Sequence, residues 1–197
     1  KELYENTGCD EISLTSLSIS DYTDINELTN TLVEWSDANI VSLSLPSLRA
    51  DSFTKELMDK VSSVRTSGLT FAPEAGTQRL RDAINKNVCE EDLMRAVRVA
   101  FEAGKNSVKL YFMIGLPTET DEDIIGIAKL AKAVIDEYYK TPGRNKKRPP
   151  QVTISVACFV PKPFTPFQWE AQNTREELAR KQRLLGEHIT DNRIRYT

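Results

Sequence analysis

The sequence predicts an α/β fold, a partial (β/α) barrel of the TIM type in which about five parallel strands carry helices on their outer face. Three observations predict it. Short runs rich in β-branched residues and leucine alternate with segments of helical apolar spacing along the chain. The strand-to-helix connections are short, which for successive strands means a parallel sheet with right-handed crossovers. The strands are apolar on one side and carry small polar residues on the other: Ser13, Thr15, Ser42, Ser44 and Ser155. A doubly wound sheet covered on both faces reads as more continuously apolar, so a wall around a polar-lined hollow fits better.

The elements follow in order. Residues 1–6 read as the tail of a helix, and 11–17 as the first strand. Residues 24–36 place Ile25, Leu28, Leu32 and Trp35 at helical spacing, and 40–45 form the second strand. Ser52 or Thr54 opens a helix through Leu57, Met58, Val61 and Val64. The third strand, 69–72, stops at Pro73, which has no N–H for a ladder. A short helical stretch over 78–84 precedes a helix over 90–103, closed by Gly104. Residues 108–114 are the fourth strand. A long helix over 121–139 follows, with acidic residues in its first turn, where the helix dipole favours them. Residues 151–160 are the fifth strand, and Thr174-Arg175-Glu176-Glu177 is a capping box opening a final helix. The five strands are expected to pair sequentially in one open sheet, being too few to close an eight-stranded barrel. At 197 residues the chain suits a single domain over 1–197.

Composition narrows the classes. A hydrophobic fraction of 40% and a charged fraction of 28% are globular values and exclude a disordered or fibrous chain. Apolar runs are broken every few residues, so no membrane span or membrane partner is expected, and the start lacks a secretory pattern. The cytoplasm is the expected compartment. Cys9, Cys89 and Cys158 are too scattered to share a metal, their odd number argues against a disulfide framework, and His188 reads as a surface residue. No metal site is expected from this chain's own residues. Residues 141–150 form a basic loop (Arg144, Lys146, Lys147, Arg148) at the end of the fold away from the active loops. A solvated loop and a nucleic-acid contact are both open readings.

In such folds active residues lie on loops after the C-terminal ends of the strands. That rule selects 16–22, 46–51, 73–77, 115–120 and 160–169, which are rich in Ser, Pro, Gly and paired polar groups. The opposite connections, Thr66-Ser67-Gly68 and Lys105-Asn106, are plain. Phe71-Ala72-Pro73-Glu74-Ala75-Gly76-Thr77 followed by Ile84-Asn85-Lys86 resembles the fourth-strand signature of radical S-adenosylmethionine (radical SAM) enzymes. The resemblance is to the branch containing the methylthiotransferases and the oxygen-independent coproporphyrinogen oxidase. The stretch from Met113-Ile114-Gly115-Leu116-Pro117 to Asp123 resembles that branch's fifth-strand signature, and Phe159-Val160-Pro161-Lys162-Pro163-Phe164-Thr165-Pro166 its sixth-strand exit. The stretch from Leu14 to Tyr22 is similar to the second-strand loop of a subgroup often joined to a cobalamin-binding domain. Together these motifs span residues 8–172.

The resemblance implies strands two to six of a six-stranded core, S-adenosylmethionine as cofactor, and a 4Fe-4S cluster held by a CxxxCxxC loop after the first strand. This sequence has no such loop. The resemblance therefore implies a fragment of the barrel, inert alone, with its cluster ligands outside this chain and, for the subgroup, cobalamin in an upstream domain. In this family the cluster supplies an electron that cleaves the cofactor to a 5′-deoxyadenosyl radical, and the protein supplies orientation and electrostatics. The substrate stays open among the RNAs, proteins and small molecules that relatives modify. The 11–17 edge, without the first strand, is expected to be covered by self-association or by residues 1–6.

Residue by residue, the resemblance assigns Glu74 to the cofactor's ribose hydroxyls and Lys86 to its carboxylate. Ser16 and Ser18 go to its amino group, and Arg49 to a carboxylate of cofactor or substrate. Gly115 is given a close backbone approach, and Phe159 and Val160 the adenine edge. Plainer readings stand beside these: surface charges for Glu74 and Lys86, an ion pair for Arg49, a turn for Gly115, core packing for Phe159 and Val160. Phe164 and Trp169 read as closing the barrel end. Two other classes stay open, a barrel lyase or aldolase using Lys109 as a Schiff base and a non-catalytic interaction module.

Overall fold

The computed structural model describes residues 2–9, 11–13, 22–39, 42–44 and 69–197. In chain order its elements are α1 (Glu2–Thr7), β1 (Glu11–Ser13), α2 (Ile25–Asn39), β2 (Ser42–Ser44), β3 (Leu69–Glu74), α3 (Gln78–Ala83), α4 (Glu90–Glu102), β4 (Ser107–Ile114), α5 (Asp121–Lys140), β5 (Gln151–Cys158), α6 (Arg175–His188) and β6 (Ile194–Tyr196). Every strand pairing among them is parallel. The alternation of strands and helices thus gives the α/β architecture that the short connections predict. No described helix is long and apolar enough to cross a membrane.

The period of two along the strands decides what each face does. Val108, Leu110, Phe112 and Ile114 of β4 are buried, with Leu69 and Phe71 of β3 and Val152 and Ile154 of β5 beside them. They form one core with Leu93, Ala96, Val97, Ala100 and Phe101 of α4, whose i, i+3, i+4, i+7, i+8 spacing puts them on one helix face. Ile124, Ile127, Ala131, Val134 and Ile135 of α5 and Leu185 of α6 complete it. Each large apolar side chain removed from water there contributes on the order of 2 kcal/mol. The intervening strand residues, Thr70, Lys109, Met113, Thr153 and Ser155, are only partly buried, and Tyr111 is exposed. Among the described residues, the packed helices lie on one face of β3–β6.

Helix boundaries follow the sequence chemistry closely. Thr77, Thr120 and Thr174 stand at the starts of α3, α5 and α6. The Thr174 hydroxyl accepts the Glu177 N–H at 3.2 Å, and Gly104 ends α4 with φ +84°.

Three features differ from expectation, and one contact adds to it. The third strand does not stop at Pro73 but runs to Glu74, with an irregularity in its pairing to β4 between Phe71 and Glu74. Proline is tolerated there because, among the described strands, β3 is the outer one of its sheet and the ladder slips at that point. The described strands pair as two sheets, β1-β2 and β3-β4-β5-β6, not as one sequential sheet. A sixth strand, β6, was not expected. It is only three residues long, and Ile194 alone among its side chains is buried. Finally, α1 packs by an edge-on contact between Tyr4 and Trp35 of α2, ring centres 5.4 Å apart. The expected strand residues 14–17 and the helix after Ser52 or Thr54 lie outside the described residues.

Candidate functional site: the rim at the C-terminal ends of the strands

Because β3, β4 and β5 are parallel, their exits share one end of the sheet. The first exit begins at Glu74, whose φ of +68° is the left-handed region that few non-glycine residues adopt. Its carboxylate oxygen lies 3.3 Å from the Lys86 Nζ, with the two side chains 25% and 32% exposed. Gly76 follows. A Cβ there would overlap the Asp123 carbonyl and the Ile127 nitrogen, and one on Gly126 would overlap the Gly76 carbonyl. This is a backbone-to-backbone contact that only two glycines allow, and it presses the β3 exit onto the first turns of α5.

The second exit is stitched to the first through Asp123. Its side chain, 2% exposed, accepts from the Thr77 hydroxyl, from the Arg79 guanidinium, and from the Thr120 N–H at 2.8 Å and hydroxyl at 2.9 Å. Burial pushes the Asp123 carboxyl upward. The hydrogen bonds from Thr77, Thr120 and Arg79 outweigh it, so the group is held below the usual carboxylate range. Arg79 also donates to the Thr118 carbonyl at 3.0 Å.

The same exit is tied to α6 by a buried ion pair. Lys181 Nζ lies 2.7 Å from a Glu119 oxygen and 2.7 Å from Asn173 Oδ1, and the same Glu119 oxygen accepts the Gly115 N–H at 2.8 Å. Lys181 and Glu119 side chains are 7% and 2% exposed. Gly115 has φ +83°, and a Cβ on it would crowd Leu178 and Asn173. Its conformation and the closeness of α6 account for glycine there.

Beneath the rim lies an apolar cap of Ala75, Leu80, Leu116 and Phe159, with Ile84, Met113 and Phe167 against it, drawn from all three exits. Phe159 meets Phe167 edge to face at 6.2 Å, and its N–H donates to the Ile114 carbonyl at 2.8 Å. Arg81 is also buried here, 1% exposed. It donates to the Ala75 carbonyl at 3.0 Å and to Gln78 Oε1 at 3.1 Å, while its Nε has no partner. Burial lowers its pKa from the usual arginine value.

Left-handed backbone is concentrated on this rim. Among the described residues the non-glycine positions with positive φ are Glu74, Asn85, Thr118 and Phe164. Asn85 precedes Lys86, Thr118 lies in the β4 exit and Phe164 in the β5 exit. Asparagine adopts this conformation readily, but glutamate, β-branched threonine and phenylalanine are costly there. Such conformations persist where surrounding structure enforces them, typically at binding sites.

A family model described as the radical SAM superfamily matches residues 1–131. The chain belongs to the radical SAM superfamily. It is 42% identical, over 160 residues, to an uncharacterized protein of Methanocaldococcus jannaschii; the match covers 81% of this chain and 32% of that protein. The chain thus spans about a third of that relative. Among solved structures it is similar to the archaeal Elp3 of Methanocaldococcus infernus carrying an N-terminal deletion. That similarity has a TM-score of 0.63 at 13% identity and covers 100% of this chain and 50% of that one. It shows a shared fold.

Radical SAM proteins use S-adenosylmethionine and a 4Fe-4S cluster, and the described residues meet those two groups differently. The Glu74 carboxylate can accept from paired hydroxyls, and Lys86 has donors beyond the one facing Glu74. Both are reachable from solvent, so the donor set fits the cofactor. The cluster asks for several thiolates together. Among the described residues no three His, Cys, Asp or Glu side chains stand close enough to hold a metal. Cys9, Cys89 and Cys158 are free. Cys89 donates to Asp92 at 2.9 Å, which raises its thiol pKa. These residues do not fit the cluster.

Of the sequence-predicted site residues, Glu74, Lys86, Gly115, Phe159 and Val160 all come to the rim, and Glu74 and Lys86 touch. Phe159 is 8% exposed and Val160 52%, so of the two only Val160 faces outward broadly. Ser16, Ser18 and Arg49 lie outside the described residues. Lys109 sits near the start of β4, five residues and roughly 16 Å from the strand's last residue. Its Nζ lies 4.8 Å from the Tyr111 ring centre. Phe164 and Trp169 are 98% and 90% exposed and so do not pack as an end plug among the described residues. Four framing residues escaped the sequence reading: Arg81, Glu119, Asp123 and Lys181. Glu119 and Asp123 sit in an acidic stretch, and Lys181 and Arg81 in polar helices, where charge reads as solvated surface. The capping pattern Thr120 to Asp123 was the one available signal.

Proposed function

We propose that this chain forms the cofactor-holding part of a radical SAM enzyme that cleaves S-adenosylmethionine reductively to a 5′-deoxyadenosyl radical and uses it to modify a substrate. The observation that carries this reading is the concentration of costly left-handed backbone at the one rim where Glu74 and Lys86 stand partly in solvent. When bound, the cluster supplies the electron and the cofactor the radical. This chain's residues bind and orient. Glu74 accepts from the ribose hydroxyls. Lys86 offers its ammonium to the cofactor carboxylate, exchanging its contact with Glu74 for one with the ligand. Val160 lies along the adenine edge, with Phe159 behind it, and the turn at Gly115 lets the backbone come close. Ser16, Ser18 and Arg49 would complete the grip on the amino and carboxylate groups. Cluster ligands are to be sought in the longer protein, of which a relative shows about three times this matched length.

The test uses the protein at its natural full length, with its cluster reconstituted and reduced. S-adenosylmethionine should yield 5′-deoxyadenosine and methionine. Glu74→Ala should weaken cofactor affinity about ten- to a hundredfold, the worth of one charge-assisted contact. Unchanged affinity in that variant, measured by equilibrium dialysis, would refute the placement of the ribose.

A further inference from the structure

The end of the sheet opposite the rim carries a different surface. Between Tyr138 and Trp169 the sequence contains no Asp or Glu, in a chain whose net charge is −3. Lys140, Arg144, Lys146, Lys147 and Arg148 fall within nine residues of one another there. None of the five makes an ion pair among the described residues, although nearby cations do. The carboxylates bordering them are already taken: Glu137 by Arg98 at 2.6 Å, and Asp191 by Arg193 at 2.6 Å. All but Arg144 are exposed.

The loop that presents these charges is held from behind. The Tyr138 hydroxyl lies between the carbonyls of Asn145 and Arg148, the latter at 2.8 Å. Asn106 Nδ2 donates to the Pro149 carbonyl at 2.9 Å, and Arg144 donates to the Thr141 carbonyl at 3.3 Å. A flat ring stands beside the charges. Tyr139 is 46% exposed, with guanidinium carbons of Arg144 and Arg193 at 5.7 Å and 5.2 Å from its ring centre.

We propose that this basal platform binds the phosphate backbone of a nucleic acid, with Tyr139 stacking on an unpaired base. Unpaired lysines and arginines gain from counterion release, and the held backbone of their loop has little ordering entropy left to lose. The exposed part of the Tyr139 ring, flanked by Arg144 and Arg193, offers a planar surface of the kind that bases use. An acidic protein or an anionic membrane would use the charges but not the ring. The proposal stands apart from the cofactor reading, because the eight-residue strands separate the platform from the rim by roughly 26 Å.

The experiment measures fluorescence anisotropy of the full-length protein with a labelled 30-nucleotide RNA hairpin and its DNA counterpart, from 50 to 200 mM KCl. Binding should fall steeply with salt. The K146Q/K147Q/R148Q variant should bind about tenfold or more weakly, with a log–log salt slope shallower by about 2, at roughly 0.7–0.9 per lost phosphate contact. Tyr139→Ala should lose about five- to a hundredfold, and Tyr139→Phe should keep the affinity, since the ring and not the hydroxyl stacks. Equal binding of RNA and DNA identifies the shared phosphate backbone, and tighter RNA binding adds ribose contacts; both support the proposal. It is overturned if the hairpin does not bind, if the triple variant binds as the natural protein does, or if polyglutamate-displacing acidic peptides or phosphatidylserine vesicles bind more tightly than nucleic acid. Cleavage of S-adenosylmethionine should be equal in the triple variant and the natural protein, so a failure here is separable from a failure at the rim.

Discussion

At the exit of β4 the polar side chains are buried against one another, whereas at the exit of β3 they stand partly in solvent. Glu119 and Lys181 are 2% and 7% exposed and share their remaining bonds with Gly115 and Asn173. Glu74 and Lys86, one loop away, are 25% and 32% exposed and touch only at 3.3 Å. Both regions are rich in charge and glycine, yet their energetics are opposite. A buried pair is locked because either partner alone would be an unpaired charge out of water. An exposed pair holds little and can exchange partners. One exit is therefore fixed as a frame, and the other, held only by a part-exposed pair, is the one the proposed function uses as a grip.

The largest expected effect tests the frame. Lys181→Met should destabilise the protein by about 3–5 kcal/mol, because it strands the Glu119 carboxylate in the interior. Adding Glu119→Gln should restore part of that loss, which denaturant titration of the single and double variants will show. Additivity of the two losses would mean that the pair is not coupled. Next in size is Gly76→Ala. Its methyl would overlap backbone atoms of Asp123 and Ile127, which cannot rotate away. Overpacking of this kind costs about 1–3 kcal/mol, and it should lower cofactor affinity as well by displacing the β3 exit. A Gly76→Ala protein of full stability would show that the two exits are not pressed together.

Acid should loosen the frame before it touches the core. The folded Asp123 carboxyl is held below its usual value. Its contribution to stability is therefore fully present above the unfolded value near pH 3.9 and is lost as pH falls below it. Asp191, lowered to about 2 by its hydrogen bonds with Arg193, follows the same sign and the same window, from about 4 down to about 2. Stability should be flat in these two groups above pH 5. A carboxyl resonance of Asp123 titrating above pH 4.5 would contradict the stitch described for it.

The residues proposed for the grip stand out in the sequence and those of the frame largely do not, for a physical reason. Phe71–Thr77 and Gly115–Thr120 announce strand exits because glycine and proline at fixed offsets record backbone geometry, and Glu74 and Lys86 stand out as charges beside them. Asp123, Glu119 and Lys181 gain their role only when α5 and α6 fold back over the rim, a long-range event that local pattern does not encode. Pro73 misled for the converse reason: its missing N–H ends an interior strand, but among the described strands β3 lies at an edge, with a slipped ladder. β6 escaped because three residues are too few to show a period.

Smaller effects sharpen the grip. Lys86→Ala should change stability by no more than about 1 kcal/mol, since the pair is part-exposed and screened. Its effect on cofactor affinity should also be weaker than that of Glu74→Ala, because a flexible ammonium near solvent is a poorer fixed partner.

The sharpest probe has the smallest expected change in stability. Glu74 holds φ at +68°, where a residue with a Cβ is strained by roughly 1–2 kcal/mol and glycine is not. Glu74→Gly removes that strain and also removes the contact with Lys86, worth about 0–1 kcal/mol when part-exposed. It adds flexibility to the unfolded chain, which costs about 0.4–1 kcal/mol. These terms nearly cancel, so thermal and denaturant midpoints should stay close to those of the natural protein, while binding of S-adenosylmethionine falls as it does for Glu74→Ala. Such a split would show that a costly backbone conformation is kept for the side chain it presents and not for the stability of the fold. A Glu74→Gly protein that unfolds as readily as Lys181→Met would place Glu74 in the frame, and the contrast between the two exits would disappear.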